Sequence, residues 1–362
     1  MTDNTISRAT LAKVASLVRP ALATQTFIPA YNHIAFTGKR AMAHNDIAAI
    51  EVRAQVPVRG CLPGELLIKA LASFTGDSVM LQESSKDQSV LVVSGRSKIK
   101  LPTMALNNFP FEMPDYEKAQ SIILSKDIVK GIEQCLVSAG SDPNHPSSMG
   151  VTIDQEDGFA MLFATDNFTI SIYSSSTKIK LPGDAPVILP TFFCNQIIAL
   201  AKAYAVDEPI LFLLADGLLV EFGNEALLFT KTLVDLEPVN FPKLVNGLVA
   251  LDSLGKRLTG IPDAFESAFQ RALLVQSAEL DKTTRVSFDG GTLSLHSSSQ
   301  MGDADDSFKF DADGKDCEFL VDPNLIIRGS KTCTSIYLAP KVLVLADVKA
   351  TFVHIIAHCS GS

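Results

Sequence analysis

Short apolar or alternating runs rich in branched side chains recur along the chain. They predict strands over 47–52, 79–82, 89–93, 160–163, 169–173, 210–214 and 351–357. Asp-Gly pairs at 157–158, 216–217, 289–290 and 313–314 fall between strand-like runs, where residues that tolerate positive φ permit tight hairpins. Helical periodicity occupies 7–22, 63–74, 125–139, 190–205, 262–277 and 323–331. The balance is antiparallel sheet with a few helices added.

The punctuation of these elements repeats. Leu62-Pro63, Leu189-Pro190 and Asp322-Pro323 each open an apolar helical run, and the prolines lie 127 and 133 residues apart. Proline suits a first helical position, where its missing N–H has no intrahelical partner. A second helix begins each unit, at 7–22, 125–139 and 262–277, with Ser7 and Ser125 placed as N-caps. Asn108-Phe109-Pro110 and Asn240-Phe241-Pro242, 132 residues apart, each close a unit. The shared order and period predict an α+β chain of three similar domains, 1–117, 118–244 and 245–362. Each has antiparallel sheets and two helices covering one sheet face.

Composition permits this plan. A chain of 362 residues, 47% hydrophobic, can fill two or three cores. Its most apolar uncharged stretch, 185–201, is interrupted by Pro186, Pro190, Asn195 and Gln196 and falls short of the ~20 residues a bilayer needs. With no secretory signal read at the N-terminus, the expected location is the cytoplasm. Six cysteines without a C-x-x-C pair predict buried thiols in a reducing compartment.

Charge is unevenly placed. The six helical stretches sum to +5 while the whole chain is −9, leaving −14 for sheets and loops. Basic helices within an acidic chain fit a ring that encircles duplex DNA, with helices lining the hole and an outside that repels DNA. The expected DNA-facing residues are Arg8, Lys13, Arg19, Lys69, Lys130, Lys202, Arg328 and Lys331. The acids Glu65, Asp127, Asp263 and Glu266 fall in or near a first helical turn, where the helix dipole favours them.

Several segments resemble the beta subunit of bacterial DNA polymerase III, the sliding-clamp family. They are Thr5-Ile6-Ser7-Arg8 leading into Leu11-Ala12-Lys13-Val14, Ser94-Gly95-Arg96-Ser97 followed by Phe109-Pro110, Ala164-Thr165-Asp166, Ala268-Phe269-Gln270-Arg271-Ala272, and Phe319-Leu320-Val321-Asp322-Pro323. The resemblance covers nearly the whole chain. It implies a homodimeric, head-to-tail ring around double-stranded DNA that holds a DNA polymerase and a clamp loader through short peptides, with no membrane partner. By the same resemblance a partner-peptide cleft has Thr165, Asn167, Phe168, Thr169 and Ile170 on one wall and Val342, Val353, His354 and Ile355 on the other. The family's Gly-His-Arg after A-T-D is replaced by Asn167-Phe168-Thr169, and Thr24-Gln25-Thr26 and Asn144-His145-Pro146 stand where its DNA loops carry arginine.

Other chemistry lacks a pattern. Neither G-x-x-x-x-G-K-[ST] nor G-x-G-x-x-G occurs, and no cofactor or catalytic residue is expected. His354 and His358 have the i, i+4 spacing of a helical zinc site but sit in a strand-like run, and 311–316 reads as a charged hairpin, so no metal is assigned. A hydrolase using His145 or His296 has no supporting motif. The alternative to a clamp is a β-rich, peptide-binding adaptor that does not encircle DNA.

Overall fold

Three times along the chain the elements run strand, helix, four strands, helix, three strands. The first series extends from strand Thr5–Ser7 to strand Ser97–Pro102, the second from Gln120–Ile123 to Ala226–Lys231, and the third from Arg257–Thr259 to Phe352–Ala357. The helices are α1 (Arg8–Val18), α2 (Gly64–Ser73), α3 (Lys126–Cys135), α4 (Thr191–Tyr204), α5 (Phe265–Val275) and α6 (Pro323–Ser330). This computed structural model describes residues 4–84, 86–232, 238–241, 257–276, 282–310, 316–339 and 341–359. The predicted hairpin at 313–314 and the predicted boundary at 244/245 lie outside the described residues.

By compactness the described chain forms two units. One contains the residues up to Ser125 and those from Gln196 to Thr232; the other contains Lys126–Asn195 and the residues from Pro238 onward. Each holds a four-stranded and an eight-stranded antiparallel sheet. In the first unit the large sheet has the order Arg59–Pro63, His33–Thr37, Arg40–His44, Ala48–Arg53, Ala226–Lys231, Gly217–Phe222, Ile210–Leu213, Gln120–Ile123. In the second it has the order Val187–Pro190, Gly150–Glu156, Phe159–Thr165, Thr169–Lys178, Phe352–Ala357, Val342–Ala346, Ser335–Leu338, Arg257–Thr259. The two orders correspond strand for strand. Each large sheet is joined at its centre by strands remote in sequence, with Ala49 opposite Phe229 in one and Ile170 opposite Ile355 in the other.

The predicted strands all form, with small shifts of boundary. Ser7 caps α1 as expected, its hydroxyl accepting from the Thr10 N–H at 3.4 Å. The helix ends at Val18, short of residue 22, and Arg19–Ala21 continues as a 3₁₀ turn. Pro20 has no N–H to extend the ladder. The expectation that Pro63 and Pro190 occupy first helical positions is corrected. Each is the last residue of a strand, paired with His33 and Gly150, and only Pro323 lies inside its helix. Both strands are sheet edges, where a residue without an N–H leaves no ladder bond unmade.

All three described Asp-Gly sites lie at hairpins, but only Asp157-Gly158 supplies two positive φ angles, 51° and 79°. At 289–292 the turn moves one residue on, because Asp289 still pairs with Thr292 and Gly290-Gly291 closes the loop. All six cysteines are free thiols; Cys61, Cys135, Cys194 and Cys333 are buried, while Cys317 and Cys359 are only half-buried.

Candidate functional site

In the large sheet of the second unit, strict alternation sends successive side chains to opposite faces. One face packs against helices. The Gly131 backbone of α3 lies against Tyr173 and Leu162, and Gly329 of α6 lies against the His354 ring, at positions where a Cβ would collide. The other face gathers Phe163, Ile170, Val342, Val344 and Ile355 into a buried apolar cluster completed by Phe241. The Phe241 ring stacks on Phe163 at 4.9 Å between centroids. Met161, Ile172, Tyr337 and Val353 pack on the cluster while remaining half-exposed, so they offer apolar surface to a ligand.

This alternation sorts the nine expected cleft residues. Ile170, Val342, Val353 and Ile355 share the apolar face. Thr165 closes the turn at its end: its Oγ accepts from the Asn167 N–H at 3.1 Å and donates to the Thr169 carbonyl at 2.7 Å. Asn167, with φ 72°, and Phe168, 66% exposed, form the turn's exposed tip. Thr169 and His354 lie off this apolar face. Both are buried on the helix side, since each is one residue out of phase with Ile170 or Ile355. Period-two alternation was the signal that could have separated them. It could also have found Phe163 and Val344, whereas Phe241 and Tyr337 reach the face only through tertiary folding.

The helix side holds a closed polar chain. Thr169 Oγ lies 2.8 Å from Ser138 Oγ, which lies 2.8 Å from Ser171 Oγ, which lies 2.9 Å from His354 Nδ1. At the other ring nitrogen, Nε2–H donates to the Leu325 carbonyl in α6 at 3.2 Å. A carbonyl only accepts, so Nδ1 is the unprotonated nitrogen and takes a serine proton. Burial pushes the His354 pKa down to about 4, leaving a neutral ring. Thr169, Ser138, Ser171 and His354 are all buried.

The expected DNA-facing residues are unequal. Lys13, Lys69 and Lys202 are exposed in the first unit, as are Lys130 and Lys331 in the second. Arg8 is half-buried: its Nε donates to the Gly76 carbonyl at 2.8 Å and its Nη1 to that of Leu71, which anchors the start of α1. Arg19 is tied at 2.6 Å to Glu65, which accounts for that first-turn acid by a partner as well as by the dipole. Asp127 is likewise structural. Burial alone would raise its pKa, but hydrogen bonds from Tyr173, Ser175 and Ser176 outweigh that and hold it below the usual carboxylate range.

Within the second unit, Gln134 of α3 reaches Thr332 beside Lys331 at 3.0 Å. Lys130, one helical turn before Gln134, therefore shares a basic face with the end of α6. Arg328 is half-exposed and its Nη1 lies 3.5 Å from Asp166 Oδ2.

No family model matches the chain. A curated protein from Streptomyces coelicolor, a beta sliding clamp, is 25% identical over 293 residues, covering 78% of this chain and 74% of its own length. A DNA polymerase III beta chain from Streptococcus pneumoniae superposes with a TM-score of 0.83 at 17% identity, over 99% of both chains. The beta sliding clamp of C. crescentus gives a TM-score of 0.82 at 19% identity, over 99% of this chain and 98% of its own. The fold of these clamps is thus shared over essentially the full length.

Proposed function

We propose that the chain is a divergent member of the bacterial DNA polymerase III beta-subunit, or sliding-clamp, family and, on that premise, a processivity factor, non-catalytic and cytoplasmic. The observation that carries this reading is a clamp fold matched over nearly every residue, on a chain whose helices are basic and whose remainder is acidic. Two copies close head to tail around duplex DNA, each contributing domains 1–117, 118–244 and 245–362. Lys13, Lys69, Lys130, Lys202, Arg328 and Lys331 face the phosphates, which they neutralise without gripping a sequence.

A polymerase or loader peptide lies on the apolar face around Ile170, Val342, Val353 and Ile355, with the Asn167-Phe168 turn at its rim. An extended peptide with hydrophobic anchors fits such a groove.

The test is topological. Loaded by its cognate loader, the protein is expected to remain on closed circular DNA and to be lost when the circle is linearised. Equal retention on both forms, or no loading on either, overturns the encircling reading in favour of a peptide-binding adaptor.

A further inference from the structure

The turn that carries Phe168 is organised by one carboxylate. Asp166 Oδ1 accepts from the Phe168 N–H at 3.0 Å, the Thr169 N–H at 2.7 Å and the Thr169 hydroxyl at 2.9 Å. Its other oxygen faces Arg328 Nη1 at 3.5 Å. The Asp166 side chain is largely buried while that of Arg328 is 52% exposed, and only Nη1 of its guanidinium lies within reach of Asp166. One side of this ion pair therefore belongs to the groove's rim and the other to the basic face of α6.

The rest of the path between the two surfaces runs through contacts shorter than this one. Thr169 leads through Ser138 and Ser171 to His354, and His354 is bonded to Leu325 in the first turn of α6. Gly329 lets the helix rest directly on the histidine ring. With Arg328 gone, Asp166 loses the cation on Oδ2 and is free to turn about its three Oδ1 donors. The long, single-point contact to Arg328 is the weakest bond in the circuit, and a phosphate offers the same guanidinium a bidentate alternative.

We propose that Asp166 is a positioning residue shared by the two surfaces: it holds Arg328 when DNA is absent, and a backbone phosphate draws Arg328 away, altering the Phe168 turn at the peptide groove. This rests on the clamp reading given above. Coupling of this kind is reciprocal, so a peptide that fixes the turn also changes how readily Arg328 reaches phosphate.

The chain contains no tryptophan, so Phe168→Trp places a sole reporter on an exposed position. A short fluorescein-labelled duplex is titrated at low ionic strength while duplex anisotropy and tryptophan emission are read together. Saturating anisotropy accompanied by an emission change supports the proposal. Adding Arg328→Gln should abolish that change and lower the log–log salt slope of duplex binding by about one, as for one lost phosphate contact.

Asp166→Asn, combined with Phe168→Trp, should give the DNA-bound emission before DNA is added. Anisotropy that saturates with unchanged emission overturns the coupling and leaves the clamp reading standing. No duplex binding at any salt also overturns the coupling, since no phosphate then draws Arg328 away, and leaves the clamp reading to the circular-DNA experiment. A merely structural role for Asp166 would shift emission in the Asp166→Asn protein but leave the Arg328→Gln protein responding to DNA, which also overturns the proposal.

Discussion

At the scale of single residues, His354 is a neutral ring enclosed by serines, a helix carbonyl and apolar strands. Its pKa falls from 6.5 to about 4 on folding because the charged form would be stranded away from water. Between those values the unfolded chain binds the proton more readily, so stability rises with pH. The neutral ring's contribution is complete above 6.5 and is lost as pH falls toward 4, by up to roughly 3 kcal/mol. His354→Gln should lose correspondingly less unfolding free energy between pH 7 and pH 4, measured by urea denaturation. Parallel losses in the two proteins would exclude His354 as the titrating group. Asp127 acts in a different window: its lowered pKa means its contribution disappears only as pH falls below the ordinary carboxylate value.

At the scale of elements, α3 and α6 approach the large sheet of the second unit through glycines. A methyl at Gly329 would overlap the His354 ring, and one at Gly131 would meet Tyr173. On an exposed helix, Gly→Ala stabilises by up to about 1 kcal/mol. Here Gly329→Ala should instead destabilise by about 1–3 kcal/mol through overpacking, with Gly131→Ala behaving likewise. Chemical denaturation of each variant checks the sign, and a stabilised Gly329→Ala protein would mean that α6 does not rest on the ring. The apolar, branched runs of the strands are visible in sequence, but these glycines look like helix weaknesses until the helix–sheet distance is known.

At the scale of the whole molecule, each small sheet ends, among the described residues, in a strand paired on one side only, and these two edges carry opposite charge. Strand Ser97–Pro102 carries Lys98 and Lys100 beside Arg96, and strand Gly302–Lys309 carries Asp303, Asp305 and Asp306. Near the acidic edge, Leu274 and Met301 are 72% and 68% exposed. Pairing one edge with the other on a second copy would satisfy the backbone groups and cover this apolar surface. Light scattering should give twice 38.9 kDa for the native chain. Lys98→Glu with Lys100→Glu should yield monomers, and Asp303→Lys with Asp305→Lys in the partner should restore the dimer. A native chain of 38.9 kDa at micromolar concentration would exclude the closed ring.

Local chemistry determined much of this protein. Branched alternating runs set the strands, Ser7 set the start of α1, and the recurrence of proline and Asn-Phe-Pro marks revealed a threefold plan, because each depends on neighbours close in the chain. Tertiary structure decided which charges and which faces remain available. Arg8 and Arg19 read like Lys69 in sequence, yet backbone carbonyls far along the chain engage one and Glu65 engages the other. His354 read as a groove wall, yet the register of its strand against Thr169–Lys178 turns it inward to Ser171. Such partners are chosen by three-dimensional pairing across 46 to 183 residues, which no local pattern encodes.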